Sequence, residues 1–369
     1  HLWYLMVWMV VWVTGASSGI GEELTYQLAK LGALLAISAR REDELQRVKK
    51  KCLRNSLSEN DILVLRLDLT DRSSHEAATN SVLKHFGKID VLVNNGGRSQ
   101  RSLFVDTNLD VYNAIIELNY LGTISLTKYV LNHMIQRKKG KIVTVSSVMG
   151  IMGAPLATGY CASKHALQGF FNSLRTELTD YPEISVIQIC PGPVQSQIIQ
   201  NVFTENLAKS IENSGDQSHK MPTDRCARLT LVSMANDVKE AWISDHPYLA
   251  VCYLWQYAPT WAWWLMNRMG KRRIQNFKSG IVSVQRAALC PARLFHSAAV
   301  LSCCGNAGIA LLLAQCPDVQ GSAPFLQCSL GHAIYSFGTK TPPILKYCKN
   351  RKYVCKGGRC SLKLCAFTL

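Results

Sequence analysis

Tyr160 and Lys164 stand four residues apart in the run GYCASKHAL, a spacing that puts both side chains on one face of a helix. A free phenol with a pKa near ~10 is a poor base at neutral pH. A neighbouring ammonium and a hydrogen-bonded network would lower that value and make the phenol useful in proton transfer. Ser147 closes the apolar run KIVTVSS at 141–147. At a strand end its hydroxyl can donate a hydrogen bond to a carbonyl oxygen and stabilise a developing alkoxide. A Tyr-x3-Lys pair also occurs on ordinary helical surfaces, so the chemical reading depends on what surrounds it.

The second feature is TGASSGIG at 14–21, with glycines at Gly15, Gly19 and Gly21 around Ser17, Ser18 and Ile20. It follows an apolar run and precedes an amphipathic one. Glycines in that position let a backbone approach a pyrophosphate, whose negative charge is attracted by the helix N-terminus. The alternative is a merely tight turn between strand and helix. The next apolar run ends Ser38-Ala39-Arg40-Arg41. A carboxylate here would hold a ribose 2′-hydroxyl, whereas a guanidinium suits a 2′-phosphate. Arg40, with Arg41 beside it, therefore points to NADP(H), unless both residues simply open a solvated helix.

Elements of alternating type must position these residues. A strand ending at Thr14 is followed by a helix over Glu22–Leu31, a strand over Ala33–Ser38 and a helix over Glu42–Leu53. The cycle continues with a strand at Ile62–Leu67, a helix near Ser74–Phe86, a strand at Val91–Asn94 and a long helix around Asp110–Gln136. It closes with the strand at 141–147, a helix across Tyr160–Leu178 and a strand at Ser185–Cys190. Such alternation predicts an α/β protein, a Rossmann-type doubly wound parallel sheet covered on both faces. The pattern places one catalytic domain in residues 1–280 and completes the sheet near residue 192. Residues 193–245, rich in turn formers, read as a substrate lid. Residues 248–269 hold four of the eight Trp and lead into Lys271-Arg272-Arg273. That segment reads either as a core or homodimer-interface helix or as an interfacial membrane helix with a Trp belt. Pro259 argues against one uninterrupted transmembrane helix.

Composition sets the outer limits. With 48% hydrophobic and 18% charged residues, the 369-residue chain can bury a sizeable core and lies far from the profile of disorder. The net charge of +16 is uneven: residues 281–369 carry ten Lys/Arg against the single acid Asp318. The body is only mildly basic and has no dense Lys/Arg stripe with interleaved aromatics, so nucleic-acid binding is not expected. Five cysteines fall in the body and nine of the 14 beyond residue 281. The body reads as reduced and unbridged, and the distal cysteines lack zinc-site spacing, so no metal is expected. Residues 281–369 read as a Cys-rich, basic and poorly ordered extension. No Asn-x-Ser/Thr acceptor supports a glycosylated product. The chain begins at His1 with an apolar run too short to span a bilayer, which reads as a truncated start.

Taken together these motifs resemble the short-chain dehydrogenase/reductase superfamily over about residues 10–280. The family's adenine-contacting acid matches Asp68, with Leu69 beside it. Its strand-four tetrapeptide matches Asn94-Asn95-Gly96-Gly97, with Gly96 where alanine is usual, a small-for-small change expected to be harmless. Its structural and proton-relay asparagine matches Asn119, and its catalytic trio matches Ser147, Tyr160 and Lys164. Its Pro-Gly motif matches Pro191-Gly192, followed by Val194. The basic residue that many NADP-linked members place in the glycine motif is absent. The resemblance implies NADPH-dependent reduction of a lipophilic carbonyl, such as a steroid, retinoid, quinone or xenobiotic ketone or aldehyde. Tyr160 would donate the proton, Lys164 would hold the nicotinamide ribose, and Asn119 would connect Lys164 to a water chain. It also implies the endoplasmic reticulum membrane as location. Two rivals stay open: an NAD-dependent alcohol or hydroxysteroid dehydrogenase, and a catalytically silent membrane-associated scaffold.

Overall fold

The computed structural model describes residues 6–55, 57–208 and 217–279, together with a short hairpin in which Val354–Lys356 pairs with Arg359–Ser361. The chain divides into two units, residues 1–300 and 301–369. Apart from that hairpin, the 281–369 extension lies outside the described residues.

The first unit is built on seven strands. They are β1 (Val10–Thr14), β2 (Leu34–Ala39), β3 (Ile62–Arg66), β4 (Val91–Asn94), β5 (Gly140–Val145), β6 (Ile184–Pro191) and β7 (Glu240–Ile243), arranged β3-β2-β1-β4-β5-β6-β7. Every pairing is parallel. Residues buried on both faces explain the near-continuous apolar strands: all five residues of β1 and all four of β4 are buried, as a sheet covered by helices on each side requires. Strand order reverses between β1 and β4. The carboxyl ends of these two strands therefore open a crevice, the place where doubly wound sheets bind ligands.

Helices α1 (Gly19–Lys30), α2 (Glu42–Cys52), α3 (His75–Phe86), α4 (Leu109–Ile116), α5 (Gly122–Arg137), α6 (Thr158–Glu177) and α7 (Thr223–Ala235) connect the strands. α3 ends at Gly87 in the left-handed region, the expected stop for a helix. The single long helix expected over 110–136 is interrupted by a π-helical turn at Glu117–Leu121. Wider turns of this kind gather at functional sites, and this one carries Asn119.

Two expectations are corrected. The sheet does not finish near residue 192, because α7 and β7 extend it by a seventh strand within the segment read as a lid. β7 is short and its first three residues are only partly buried, which left no apolar run to find. The aromatic segment is not one helix but two, α8 (Tyr248–Tyr257) and α9 (Pro259–Lys278), with Pro259 at the first position of α9, where its missing N–H costs nothing. Several of its aromatics face outward: Tyr257 is 81% exposed, Trp261 64% and Trp264 57%. They do not form core. Among the described residues, no helix is long and apolar enough to cross a membrane. Among the described residues, the five body cysteines are buried and none forms a disulfide.

Candidate active site

The glycine turn lies at the carboxyl end of β1. Gly15 has φ +64°, a conformation costly for residues with a side chain. A Cβ on it would also come within 2.8 Å of Gly96 Cα. Gly21 is required by proximity: a Cβ there would collide with Asn95 Nδ2 and the Gly15 carbonyl. The turn is tied to the end of β4, where Asn95 Nδ2 donates to the carbonyls of Thr14 (3.0 Å) and Gly15 (3.2 Å), and the Asn95 and Gly96 amides donate to Thr14 Oγ1. Ser18, in extended conformation, starts α1, so the first amides of that helix face the crevice.

A cavity opens over this turn. Gly15, Ser17, Ser18, Gly19, Ile20, Arg40, Arg41, Asp68, Leu69, Asn95 and Gly96 all line it. The expected dinucleotide residues from the first half of the chain thus converge, apart from Gly21, which supports the turn from behind. Asp68 is held in place by Thr70, whose amide and hydroxyl both donate to its Oδ1 (3.0 and 2.8 Å). The harmlessness expected of Gly96 is sharpened by the structure. A Cβ there would stand 2.6 Å from Leu69 Cδ1, so in this chain Leu69 takes the volume that an alanine would need.

A second cavity adjoins the first, and Ile20, Asn95, Gly97, Ser196 and Ile198 border both. Ser147, Tyr160 and Lys164 line it, as do Pro191, Gly192 and Val194. Three elements bring the trio together. Ser147 follows β5, and its Oγ donates to the Pro191 carbonyl at the end of β6 (3.4 Å) while accepting from the Met149 amide (3.1 Å). Tyr160 and Lys164 sit in the first two turns of α6. Lys164 Nζ donates to the Val145 carbonyl at 2.9 Å and lies 5.8 Å from the Tyr160 ring centroid.

Electrostatics depart from the expectation that Lys164 pulls the phenol down. Burial pushes the Tyr160 phenol up to about 12, opposed in part by side-chain hydrogen bonding with Ser147. Burial also lowers the Lys164 ammonium to about 8, with Cys190 acting in the other direction. The physical reason is that the ammonium is directed at a backbone carbonyl rather than at the phenolic oxygen, so desolvation prevails over attraction. Tyr160 is therefore fully protonated at neutral pH and suited to giving a proton.

Asn119 is buried within the π turn and reaches neither Tyr160 nor Lys164 by hydrogen bond. Its Oδ1 accepts from the Arg98 amide, and its Nδ2 donates to the Arg98 carbonyl and to Ser163 Oγ (2.9, 2.9 and 3.0 Å). It anchors the loop after β4 to α6. Gly97 separates it from Lys164, since a side chain there would meet both Asn119 Oδ1 and Lys164 Nζ.

Two site residues were not marked by any sequence motif. Arg98 lines the first cavity. Its guanidinium lies 3.8 Å over the Phe203 ring and donates to the Asn201 carbonyl, and burial, with the charge of Arg40 adding to it, holds its pKa down. Gln100 is buried, and its Oε1 accepts from the Gly159 and Tyr160 amides (2.6 and 3.4 Å), capping the start of α6. Neither carries a local signature, because each works through a contact distant in sequence.

Comparison with known proteins accords with this geometry. The family description "short chain dehydrogenase" matches residues 9–207. The chain is 69% identical over 274 residues to human dehydrogenase/reductase SDR family member 7, covering 74% of this chain and 81% of that protein. It is 36% identical over 265 residues to a member 7-like protein of Anopheles gambiae, covering 71% and 83%. Among solved structures it is similar to a short-chain dehydrogenase/reductase from Burkholderia phymatum in complex with NAD, with TM-score 0.61 and 23% identity over 68% of this chain and 93% of that one. An archaeal alcohol dehydrogenase from Thermococcus sibiricus complexed with 5-hydroxy-NADP gives TM-score 0.55 at 23% identity over 64% and 97%. A reversed-order parallel sheet, a glycine turn at its switch point and a Ser-Tyr-Lys set on the adjoining wall accompany these matches, and the chain belongs to the short-chain dehydrogenase/reductase family of oxidoreductases.

Proposed function

We propose that the protein reduces the carbonyl group of lipophilic compounds with NADPH. The observation that carries this reading is the convergence of Ser147, Tyr160 and Lys164 on a cavity that adjoins the glycine-turn cavity. The residues present fit a dinucleotide: the turn is a cradle that side chains would fill, and the two solved neighbours were crystallised with nicotinamide dinucleotides. Gly15, Ser17, Ser18, Gly19 and Ile20 would receive the pyrophosphate, Asp68 and Leu69 the adenine, and Asn95, Gly96, Pro191, Gly192 and Val194 the nicotinamide half. Arg40, Arg41 and Arg98, lining one cavity, favour a 2′-phosphate over a bare ribose hydroxyl. When bound, the nicotinamide supplies hydride to a carbonyl carbon.

The rest is done by the chain. Ser147 polarises the carbonyl oxygen, and Tyr160, held protonated by burial, donates its proton there. Lys164 would hold the nicotinamide ribose from its position beside the Val145 carbonyl. Asn119 fixes the loop carrying Gly97, and water in the cavity that Gly97 and Lys164 both line would restore the proton. The apolar walls of the second cavity, among them Val148, Met149, Met152 and Val251, support steroid, retinoid, quinone or xenobiotic ketone and aldehyde substrates. The outward Trp and Tyr of α8 and α9, with Lys271 and Arg272 exposed nearby, suit docking to a membrane surface such as that of the endoplasmic reticulum.

A screen of steroid, retinoid and quinone carbonyls, following NADPH and NADH consumption in parallel, tests the reading. Consumption of NADPH in preference to NADH with at least one class is expected. Preference for NADH, or turnover only of alcohols with NAD, would instead favour the NAD-dependent dehydrogenase alternative.

A further inference from the structure

The cavity that holds Tyr160 has a chemical asymmetry that an uncharged substrate does not explain. Among the described residues that line it, Lys164 is joined by three further cations, Arg101, Lys220 and Arg273, and by no Asp or Glu. Three separate segments bring them in. Arg101 comes from the loop after β4, where its amide donates to the Phe203 carbonyl at 2.8 Å. Lys220 stands before α7, and Arg273 sits on α9 with Met266, Met269 and Gly270, which share its cavity-facing side.

These cations lack what the other partly buried arginines have. Arg137 pairs with Asp90, Arg175 donates to two backbone carbonyls and Asn172, and Arg98 donates to the Asn201 carbonyl. Among the described residues, neither the Arg101 nor the Arg273 guanidinium makes a hydrogen bond or ion pair, and Lys220 Nζ reaches only the neutral Gln217 Oε1 at 3.2 Å. Burial weakens the charged form of all three, and Arg101 adds repulsion at both Lys220 and Arg273. Guanidinia partly withdrawn from water, close to one another and without an acid, are costly unless an anion joins them.

We propose that this cluster binds an oxyanion, a carboxylate, sulfate or phosphate, on the substrate itself, so that the enzyme selects amphiphilic carbonyl compounds whose apolar body lies along the methionine-lined wall. The inference rests on the reductase reading above and narrows its substrate class. The anionic group serves recognition only and is not transformed.

The test is calorimetric binding of 4-benzoylbenzoate and of its uncharged methyl ester to the full chain saturated with NADP⁺, compared across wild type, Arg101→Met and Arg273→Met. The carboxylate is expected to bind at least about tenfold more tightly than the ester, and that ratio to fall below about threefold in either variant, as removal of a charge-assisted bidentate contact implies. Lys220→Met gives the same readout should an arginine variant fail to fold. Equal or tighter binding of the ester overturns the proposal, as does a carboxylate preference that survives in every variant. A preference seen without NADP⁺ but lost at saturation also overturns it, since the cations would then serve the cofactor. Binding and turnover separate the two readings. A carboxylate preference with no NADPH consumption by these probes or by any carbonyl of the steroid, retinoid and quinone screen supports the anion site and contradicts the reductase; consumption of both probes at equal affinity does the reverse.

Discussion

Replacing Lys164 with methionine should make the apoprotein more stable at neutral pH while removing a residue the proposed chemistry needs. Lys164 is 5% exposed, and burial lowers its pKa from 10.5 to about 8. At about pH 7 the folded chain therefore carries a penalty of about 3 kcal/mol for keeping this ammonium charged, because each pKa unit is worth about 1.4 kcal/mol. The lost hydrogen bond to the Val145 carbonyl costs about 1 kcal/mol in return, leaving Lys164→Met ahead by about 2 kcal/mol. The sign of the pH effect follows from the depressed value. Below the folded pKa of about 8 the penalty is complete. Between 8 and 10.5 the folded chain has released a proton that the unfolded chain keeps, so stability from this site rises with pH. By about pH 9.5 the residual penalty is about 1 kcal/mol, and the advantage of the variant should nearly vanish. Burial also raises the thiols of Cys52, Cys190, Cys226 and Cys252, which weakens wild type and variant alike in alkali. The difference between the two proteins is the quantity to follow. Urea unfolding at both pH values measures it. A gap that does not change with pH would refute the placing of a charged, desolvated Lys164 beside β5.

Further outcomes follow from the same geometry. Gly15→Ala forces a side chain into the left-handed region and against Gly96, and should cost about 2 kcal/mol in urea unfolding and abolish quenching of intrinsic fluorescence by NADP⁺. Arg40→Asp should lower the ratio of kcat/KM for NADPH to that for NADH by at least about tenfold, whereas an unchanged ratio would place Arg40 on a merely solvated helix. Asn119→Ala leaves the buried Arg98 backbone groups and Ser163 without partners and should destabilise the fold by about 3 kcal/mol, read as a lowered thermal midpoint. The proposed reduction requires a charged Lys164 and a protonated Tyr160, so on that reading kcat/KM should fall above about pH 8 as the ammonium titrates, with no second break from the phenol below about pH 11.

The sheet through β6 was legible because buried parallel strands leave continuous apolar runs, such as VVWVT and VLVN, bounded by glycine or asparagine. β7 was not: its EAWI offers a single fully buried side chain at the sheet's edge. The glycine turn and the Ser147-Tyr160-Lys164 set were legible since each is fixed by spacing within one or two elements. Arg98, Gln100 and the Arg101–Arg273 pair were not, because their roles arise where segments remote in sequence meet. The expected effect of Lys164 on Tyr160 failed for a similar reason. Spacing put the two on one helical face, but the Val145 carbonyl, supplied by another strand, decides where the ammonium points.

The proposed role of Tyr160 is to deliver the proton in a carbonyl reduction driven by NADPH. Its most direct test is a single-turnover comparison of wild type and Tyr160→Phe, each preloaded with NADPH and mixed with a ketone reduced by the wild type. The cofactor's absorbance reports hydride transfer, and its fluorescence reports binding. Loss of the phenolic hydroxyl should leave NADPH binding within about twofold and slow hydride transfer by at least about a hundredfold, the scale of a general acid. Transfer at near the wild-type rate in Tyr160→Phe would contradict the account.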